Sequence, residues 1–200
     1  EDDQEPLWLL ALCFIFGAIN LHLDVDILEF VFGYINMSNI FLQVGGEALT
    51  VAITEELLKF IVVILIIYPN KAFDEPFDGI VYSVFVGMGF ATAENLTFVL
   101  QGNPSLALFR MLSAIPAHFV FAVIMGYYLG IAKSRKKKEF LFISLSILVP
   151  ILLHAIYDYF LYLDFVPGLW IGGIITLLLS LFFAKNAIVE HLESSPHKKQ

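Results

Sequence analysis

The 200-residue sequence has little charge and almost no cysteine. Charged residues make up 15% of it and apolar residues 59%, and soluble domains rarely carry so little charge. Because Cys13 is the single cysteine, a disulfide framework and a C-x-x-C metal site are excluded. No internal repeat or low-complexity tract is visible, so we expect one domain over residues 1–200. The chain begins at Glu1 rather than Met, which leaves open whether it is a piece of a longer protein.

The sequence does contain a series of long runs rich in Phe, Ile, Leu and Val. A helix needs about 20 apolar residues to cross the hydrocarbon core of a bilayer. The predicted fold is therefore an all-α polytopic membrane protein, a bundle of about six transmembrane helices. The helices are predicted at residues 6–23, 39–68, 79–101, 105–132, 139–163 and 167–190. Residues 24–38, which mix acids with apolar residues, are predicted to form a short amphipathic segment on the membrane surface.

Lysine and arginine are missing from alternate connections between these helices. Residues 24–38, 102–104 and 164–166 contain neither, whereas Lys71 and the cluster at 133–138 lie in the other connections. Because basic loops stay on the cytoplasmic side, we expect a multi-pass protein of the cell membrane with both termini in the cytoplasm. The basic run is interpreted as this topology signal, so membrane lipids and no nucleic acid are expected as partners.

Glu55, Glu56 and Lys59 interrupt the second apolar run. A carboxylate at the centre of a spanning helix costs roughly 2.5–3.5 kcal/mol on insertion scales, which favours a functional site over simple packing. Lys59 is four residues after Glu55 and three after Glu56, so both pairs share a helix face. Such pairing can keep one carboxylate ionised and push its neighbour toward protonation.

Four helices carry an acid or histidine at a similar depth. Counted from the predicted cytoplasmic ends at 1.5 Å per residue, this depth is about 20 Å, slightly into the outer half. The residues are Glu55, Glu94, His118 and His154. Asp158 lies one turn beyond His154 on the same face. Each group alone could be a structural clamp or a buried hydrogen-bonded pair, but four at one depth predict a shared polar cavity.

Two histidines and several carboxylates are ligands that zinc prefers, and a catalytic site keeps one position for water. The expected zinc ligands are Glu94, His118, His154 and Asp158. A free carboxylate can act as general base on the bound water, and this role is expected of Glu55 or Glu56. The further candidate catalytic residues are Lys59, Asn95 and Arg110. The predicted reaction is hydrolysis of a peptide bond within or beside the bilayer.

Three other functions are compatible with these residues. A peptidase without metal would use a glutamate to activate water, with the histidines and Asn95 stabilising the oxyanion. A proton- or ion-coupled transporter or channel also uses ionisable groups inside the membrane. A catalytically inactive adaptor is the third alternative. The sequence names neither the substrate nor the oligomeric state.

Four motifs, in this order, resemble the PrsW family of intramembrane proteases, which is related to the CAAX-prenyl and bacteriocin-processing proteases. The motifs are Glu55-Glu56-x-x-Lys59, Phe90-Ala91-x-x-Glu94-Asn95, Phe109-Arg110 followed by His118, and His154-x-x-x-Asp158. The resemblance covers residues 47–162 and implies a CAAX-protease-like core. It also implies a membrane endopeptidase in which the double Glu supplies the base.

The best-known type in that family makes the first cut in a membrane-anchored anti-sigma factor, on its extracytoplasmic side. The resemblance therefore implies a single-span membrane protein as substrate, and His118 and His154 as metal ligands or oxyanion-stabilising groups. This chain departs from the CAAX-type relatives at two positions. Glu94 stands where they have the His of an F-x-x-x-H motif, and Asp158 replaces their usual Asn.

Overall fold

The computed structural model describes residues 5–32 and 37–194, which form seven α-helices and no strand. The helices are α1 (Leu7–Phe32), α2 (Ile40–Val62), α3 (Pro76–Leu100), α4 (Pro104–Leu112), α5 (Ala114–Ser134), α6 (Glu139–Tyr162) and α7 (Trp170–Ser194). A π-helical turn at Val63–Ile67 continues α2, and a 3-10 turn at Lys136–Lys138 leads into α6. The predicted all-α polytopic fold is confirmed.

Five segments of the described chain are long and apolar enough to cross a membrane. They are Leu7–Asp24, Pro76–Leu100, Pro104–Ser134, Lys136–Tyr162 and Trp170–Glu193. The remaining predicted crossing, the second along the chain, is α2, whose 23 residues span about 34 Å. It differs from the other five in its charged residues, of which Glu55, Glu56 and Lys59 are buried. Helix α2 therefore carries charge into the bundle, where neighbouring helices cover it.

Two predicted helix boundaries are wrong. The first predicted helix ends at residue 23, whereas α1 is helical as far as Phe32. The predicted surface segment 24–38 thus begins as the end of α1, and residues 33–36 lie outside the described residues. The predicted helix at 105–132 is two helices that meet at Ser113. Pro116 lies in the first turn of α5, where its missing N–H costs no hydrogen bond because the first N–H groups of a helix have no partner within it.

Helix α3 packs against α1 and α5 at backbone contact distance because glycines lie at both interfaces. A Cβ atom added at Gly89 would overlap the carbonyl group of Phe14, and one added at Gly126 would overlap that of Gly79. A Cβ atom added at Gly87 would likewise lie too close to the Cβ atom of Ala122, 2.7 Å away. Small residues permit such close approach between helices in membranes. This packing brings the polar residues of α3 and α5 within contact of each other.

Side-chain caps fix where the site-bearing helices begin. Asn39 Oδ1 accepts the N–H of Phe41 at 2.9 Å at the start of α2. Asn103 accepts the N–H of Leu106 at the start of α4. Gly102, with φ of 79°, takes the left-handed conformation between α3 and α4. These caps satisfy N–H groups in the first turns of α2 and α4.

Candidate active site

The ammonium group of Lys59 is the centre of a buried polar cluster. Nζ donates to Glu55 Oε2 at 3.2 Å and to Glu56 Oε1 at 2.9 Å, both within α2. A third contact, 3.0 Å long, joins Nζ to His118 Nδ1 on α5. Phe90 of α3 covers the ammonium, with its ring centroid 4.3 Å from Nζ. Lys59 is 2% exposed and Glu56 0%. The helices therefore shield this charge from solvent, and its partners must be protein groups.

His118 connects the Lys59 cluster to α3 and α4. An ammonium can only donate, so Nδ1 of His118 accepts and Nε2 carries the ring hydrogen. Nε2 donates to Glu94 Oε2 at 3.1 Å. Arg110 of α4 pairs with the same carboxylate and lies 4.4 Å from the ring centroid of Phe98. The chain of contacts from Lys59 to Arg110 thus joins α2, α5, α3 and α4.

His154 of α6 lies between two carboxylates. Its Nδ1 is 2.9 Å from Glu56 Oε1, and its Nε2 is 3.2 Å from Asp158 Oδ2. Ionised carboxylates only accept, so this position suits a doubly protonated imidazolium. Phe121 stacks on the ring at a centroid distance of 4.9 Å. Lys59 and His154 both bond Oε1 of Glu56, and Oε2 has no partner among the described residues.

A cavity of about 730 Å³ opens beside this cluster. The polar part of its wall, from five helices, includes Glu55, Glu94, Arg110, His118, His154 and Asp158. Glu56 and Lys59 are not among the described residues that line it. The cavity therefore exposes one member of the glutamate pair, Glu55, and the other is enclosed behind it. A cavity of this volume can hold a short stretch of peptide.

The group that could hold a metal ion consists of Glu55, Glu56, His118 and His154. One ligand atom of each lies within 4.8 Å of the others. Glu94 and Asp158, which the sequence analysis expects as ligands, are outside this group. They contact the second ring nitrogens of the two histidines, Nε2 in both cases. Carboxylates in that position orient metal-binding histidines.

Two further residues have to be placed relative to the cavity. Asn95 of α3 follows Glu94 directly and is not among the described residues that line the cavity. Asp24 of α1 does line the cavity, although the sequence analysis assigns it to a surface segment. The sequence did contain a signal for this position. Asp24 follows Asn20, a second polar residue in the same apolar run, by four residues, so the two share a helix face. Asn20 Nδ2 donates to the carbonyl of Leu58 at 2.9 Å and ties α1 to α2.

Comparison with known proteins gives one consistent family. A family model described as PrsW family intramembrane metalloprotease matches residues 5–185. The chain is 38% identical to Protease PrsW of Geobacillus kaustophilus over 162 residues, which cover 80% of this chain and 70% of that protein. It is 35% identical to Protease PrsW of Clostridioides difficile (81% and 71% covered) and 34% identical to that of Bacillus subtilis (80% and 72%). No solved structure matches the chain.

Replacing Glu56 by Gln is expected to destabilise the protein more than replacing Glu55 by Gln. Gln at position 56 cannot balance the charges of Lys59 and His154, and breaking a buried ion pair costs about 3–5 kcal/mol. Glu55 borders the cavity, where water can screen the charge of Lys59 that is left unbalanced when Glu55 is replaced. Thermal unfolding of wild type, Glu55→Gln and Glu56→Gln in the same detergent measures the difference. Equal shifts in Tm for the two variants would contradict the different placement of these side chains.

Proposed function

This chain belongs to the PrsW family of intramembrane metalloproteases, and we propose that it hydrolyses a single-span membrane protein with Glu55 as the general base. The observation that carries the proposal is that Glu55 lines the cavity and Glu56 is enclosed. Glu56 is bonded to Lys59 and His154, which suits a structural role. Neither the family nor the relatives give any support to the transporter alternative.

Glu55 has the contacts that a general base needs. Lys59 donates to Oε2 and favours the ionised carboxylate. Oε1 is then the oxygen that takes a proton from water as the water oxygen attacks the carbonyl carbon of the substrate. The proton passes from Oε1 to the amide nitrogen when the carbon–nitrogen bond breaks. Glu55 is thereby returned to its ionised form for the next turnover.

We assign to Arg110 the role of stabilising the negative charge that develops on the substrate carbonyl oxygen. It lines the cavity, and its Nε has no acceptor among the described residues. Glu94 holds the guanidinium through one terminal nitrogen, and Phe98 packs against its face. A positive charge fixed in this way before the reaction stabilises an oxyanion without further reorganisation.

Zinc is the metal we propose for this site, because imidazole and carboxylate are among its preferred ligands. Glu56, His118 and His154 would hold it, with Glu55 left as the base, and His154 would give up one ring proton to do so. The unpartnered Oε2 of Glu56 fits a ligand role. Bound zinc would make the attacking water a stronger acid. Lys59 contacts both Glu56 and His118, so its ammonium competes with the metal ion for the ligand atoms of these two residues.

Glu55→Gln is expected to lower the cleavage rate by about 10²–10⁴-fold, because Gln keeps the shape of the side chain but cannot take the proton. The rate is measured with a tagged single-span substrate and the purified protein in liposomes. Glu47→Gln is the matched control, since Glu47 lies on the same helix and its partner is Gln43. A Glu55→Gln variant that cleaves at the wild-type rate would rule out Glu55 as the base.

Purified protein is expected to contain about one zinc ion per chain, and a strong chelator should abolish cleavage. His154→Ala should lose the ion because it removes one ligand. Lys59→Met should bind zinc more tightly because the competing ammonium is gone. Elemental analysis and zinc titration of the three proteins measure this. Full cleavage after complete metal removal would instead support the metal-free mechanism, in which Glu55 acts alone.

The orientation that we propose places both termini in the cytoplasm and the cut in the outer half of the membrane. The distribution of basic residues among the connections supports this orientation. Gln101 and Asp164 line the cavity, and they lie beside the connections that lack Lys and Arg. The scissile bond would then lie near the extracytoplasmic end of the substrate helix.

Single cysteines introduced into a Cys13→Ala background test this orientation. Ser105→Cys is expected to react with a membrane-impermeant maleimide in intact cells, because α4 begins on the outer side. Lys137→Cys should react only after the membrane is permeabilised. The reverse pattern would show that the cavity opens toward the cytoplasm and would refute the proposed side of cleavage.

A further inference from the structure

Asp24 is a buried carboxylate that the proposed reaction does not use. It lies in α1, is 3% exposed and lines the same cavity as Glu55. Its Oδ1 has no hydrogen-bond partner among the described residues. Glu94 and His154 line the same cavity, so Asp24 shares its wall with the catalytic cluster. A carboxylate in this environment is costly unless something bonds to it.

The other enclosed acids of the cavity wall have cationic partners. Glu55 pairs with Lys59, Glu94 with Arg110, and Asp158 with His154. Lys59 has no hydrogen left for Asp24, because its three donors go to Glu55, Glu56 and His118. Asp164 also lines the cavity, but it is exposed. Within the part of the chain that the structure describes, Asp24 is thus the enclosed acid of this wall that lacks a cation.

Arg110 is the one Lys or Arg among the described residues of the cavity wall, and Glu94 already pairs with it. The described connections at this end of the bundle, residues 102–104 and 164–166, contain neither Lys nor Arg. The cavity wall also has apolar side chains, among them Leu21, one turn before Asp24 on α1, and Val51 on α2. An apolar wall that ends at a carboxylate complements a long aliphatic stem with a charged head. Lysine and arginine are the side chains of this kind.

We propose that Asp24 binds a lysine or arginine side chain of the substrate close to the scissile bond, and so selects substrates with a basic residue there. This inference rests on the proposed protease function, since the cavity must receive a peptide segment. It makes Asp24 a specificity-determining residue: the carboxylate recognises charge in the bound chain and takes no part in proton transfer.

A randomised substrate library tests the proposal. The library is a tagged single-span model protein of Leu/Ala-rich helix, with eight residues at the outer end of the helix randomised. It is incubated in liposomes with the purified full chain, and mass spectrometry of the products gives the cut site and flanking residues. Wild type is expected to favour Lys or Arg over Gln at one position near the cut, by about 30-fold, the size of effect seen when one partner of a buried charge pair is removed.

Variants assign the preference to Asp24. Asp24→Asn should remove the preference between Lys and Gln while cleavage of Gln-containing substrates continues. Asp24→Arg should shift the preference to Asp or Glu at the same position. Asp74→Asn, which changes an exposed carboxylate between α2 and α3, should keep the wild-type preference. Thermal unfolding of each variant separates loss of selectivity from loss of folding.

Two outcomes would overturn the proposal. One is a wild-type product set with no enrichment of Lys or Arg, a result that needs no variant. The other is an Asp24→Asn variant that is folded and retains the wild-type enrichment, or loses cleavage of all substrates equally. Failure of the protease function itself looks different, because wild type would then cleave no substrate or Glu55→Gln would cleave as well as wild type.

Discussion

The buried ammonium group of Lys59 is the interaction on which the rest of the structure depends. A charge inside an apolar bundle must be balanced by nearby groups, because water is not there to solvate it. Glu55, Glu56 and His118 bond it directly. Further contacts continue from these groups. His118 contacts Glu94, which pairs with Arg110, and Glu56 contacts His154, which pairs with Asp158. Each helix of the core must therefore carry its polar residue at a matching depth and on the inner face.

The same arrangement gives two adjacent glutamates different surroundings. Consecutive residues of a helix point about 100° apart, so Glu55 and Glu56 cannot have the same surroundings. Glu56 points into the contact with α6, where His154 bonds it. Glu55 points toward the cavity. A carboxylate with a fixed cationic partner and an open side is suited to proton transfer, and its enclosed neighbour holds the helices together.

The sequence predicted the meeting of Glu55, Glu94, His118 and His154, because a constant rise per residue converts chain position into depth. It could not predict helix rotation, which depends on packing between side chains. Rotation decides that Glu55 lines the cavity, and that Glu94 and Asp158 contact the Nε2 atoms of the two histidines. Asp24 was misplaced because the hydropathy pattern ends the first helix at residue 23, whereas α1 is helical as far as Phe32. The division at Ser113 was not predicted because the sequence is apolar on both sides of it.

The central claim is that a carboxylate in the cavity, at the place of Glu55, activates the water. Chemical rescue tests it most directly, because formate is small enough to enter a cavity of about 730 Å³. Formate is predicted to restore cleavage of a single-span substrate by Glu55→Ala and to leave Glu56→Ala inactive, since position 56 is closed to the cavity. Rescue of Glu56→Ala without rescue of Glu55→Ala would contradict the account.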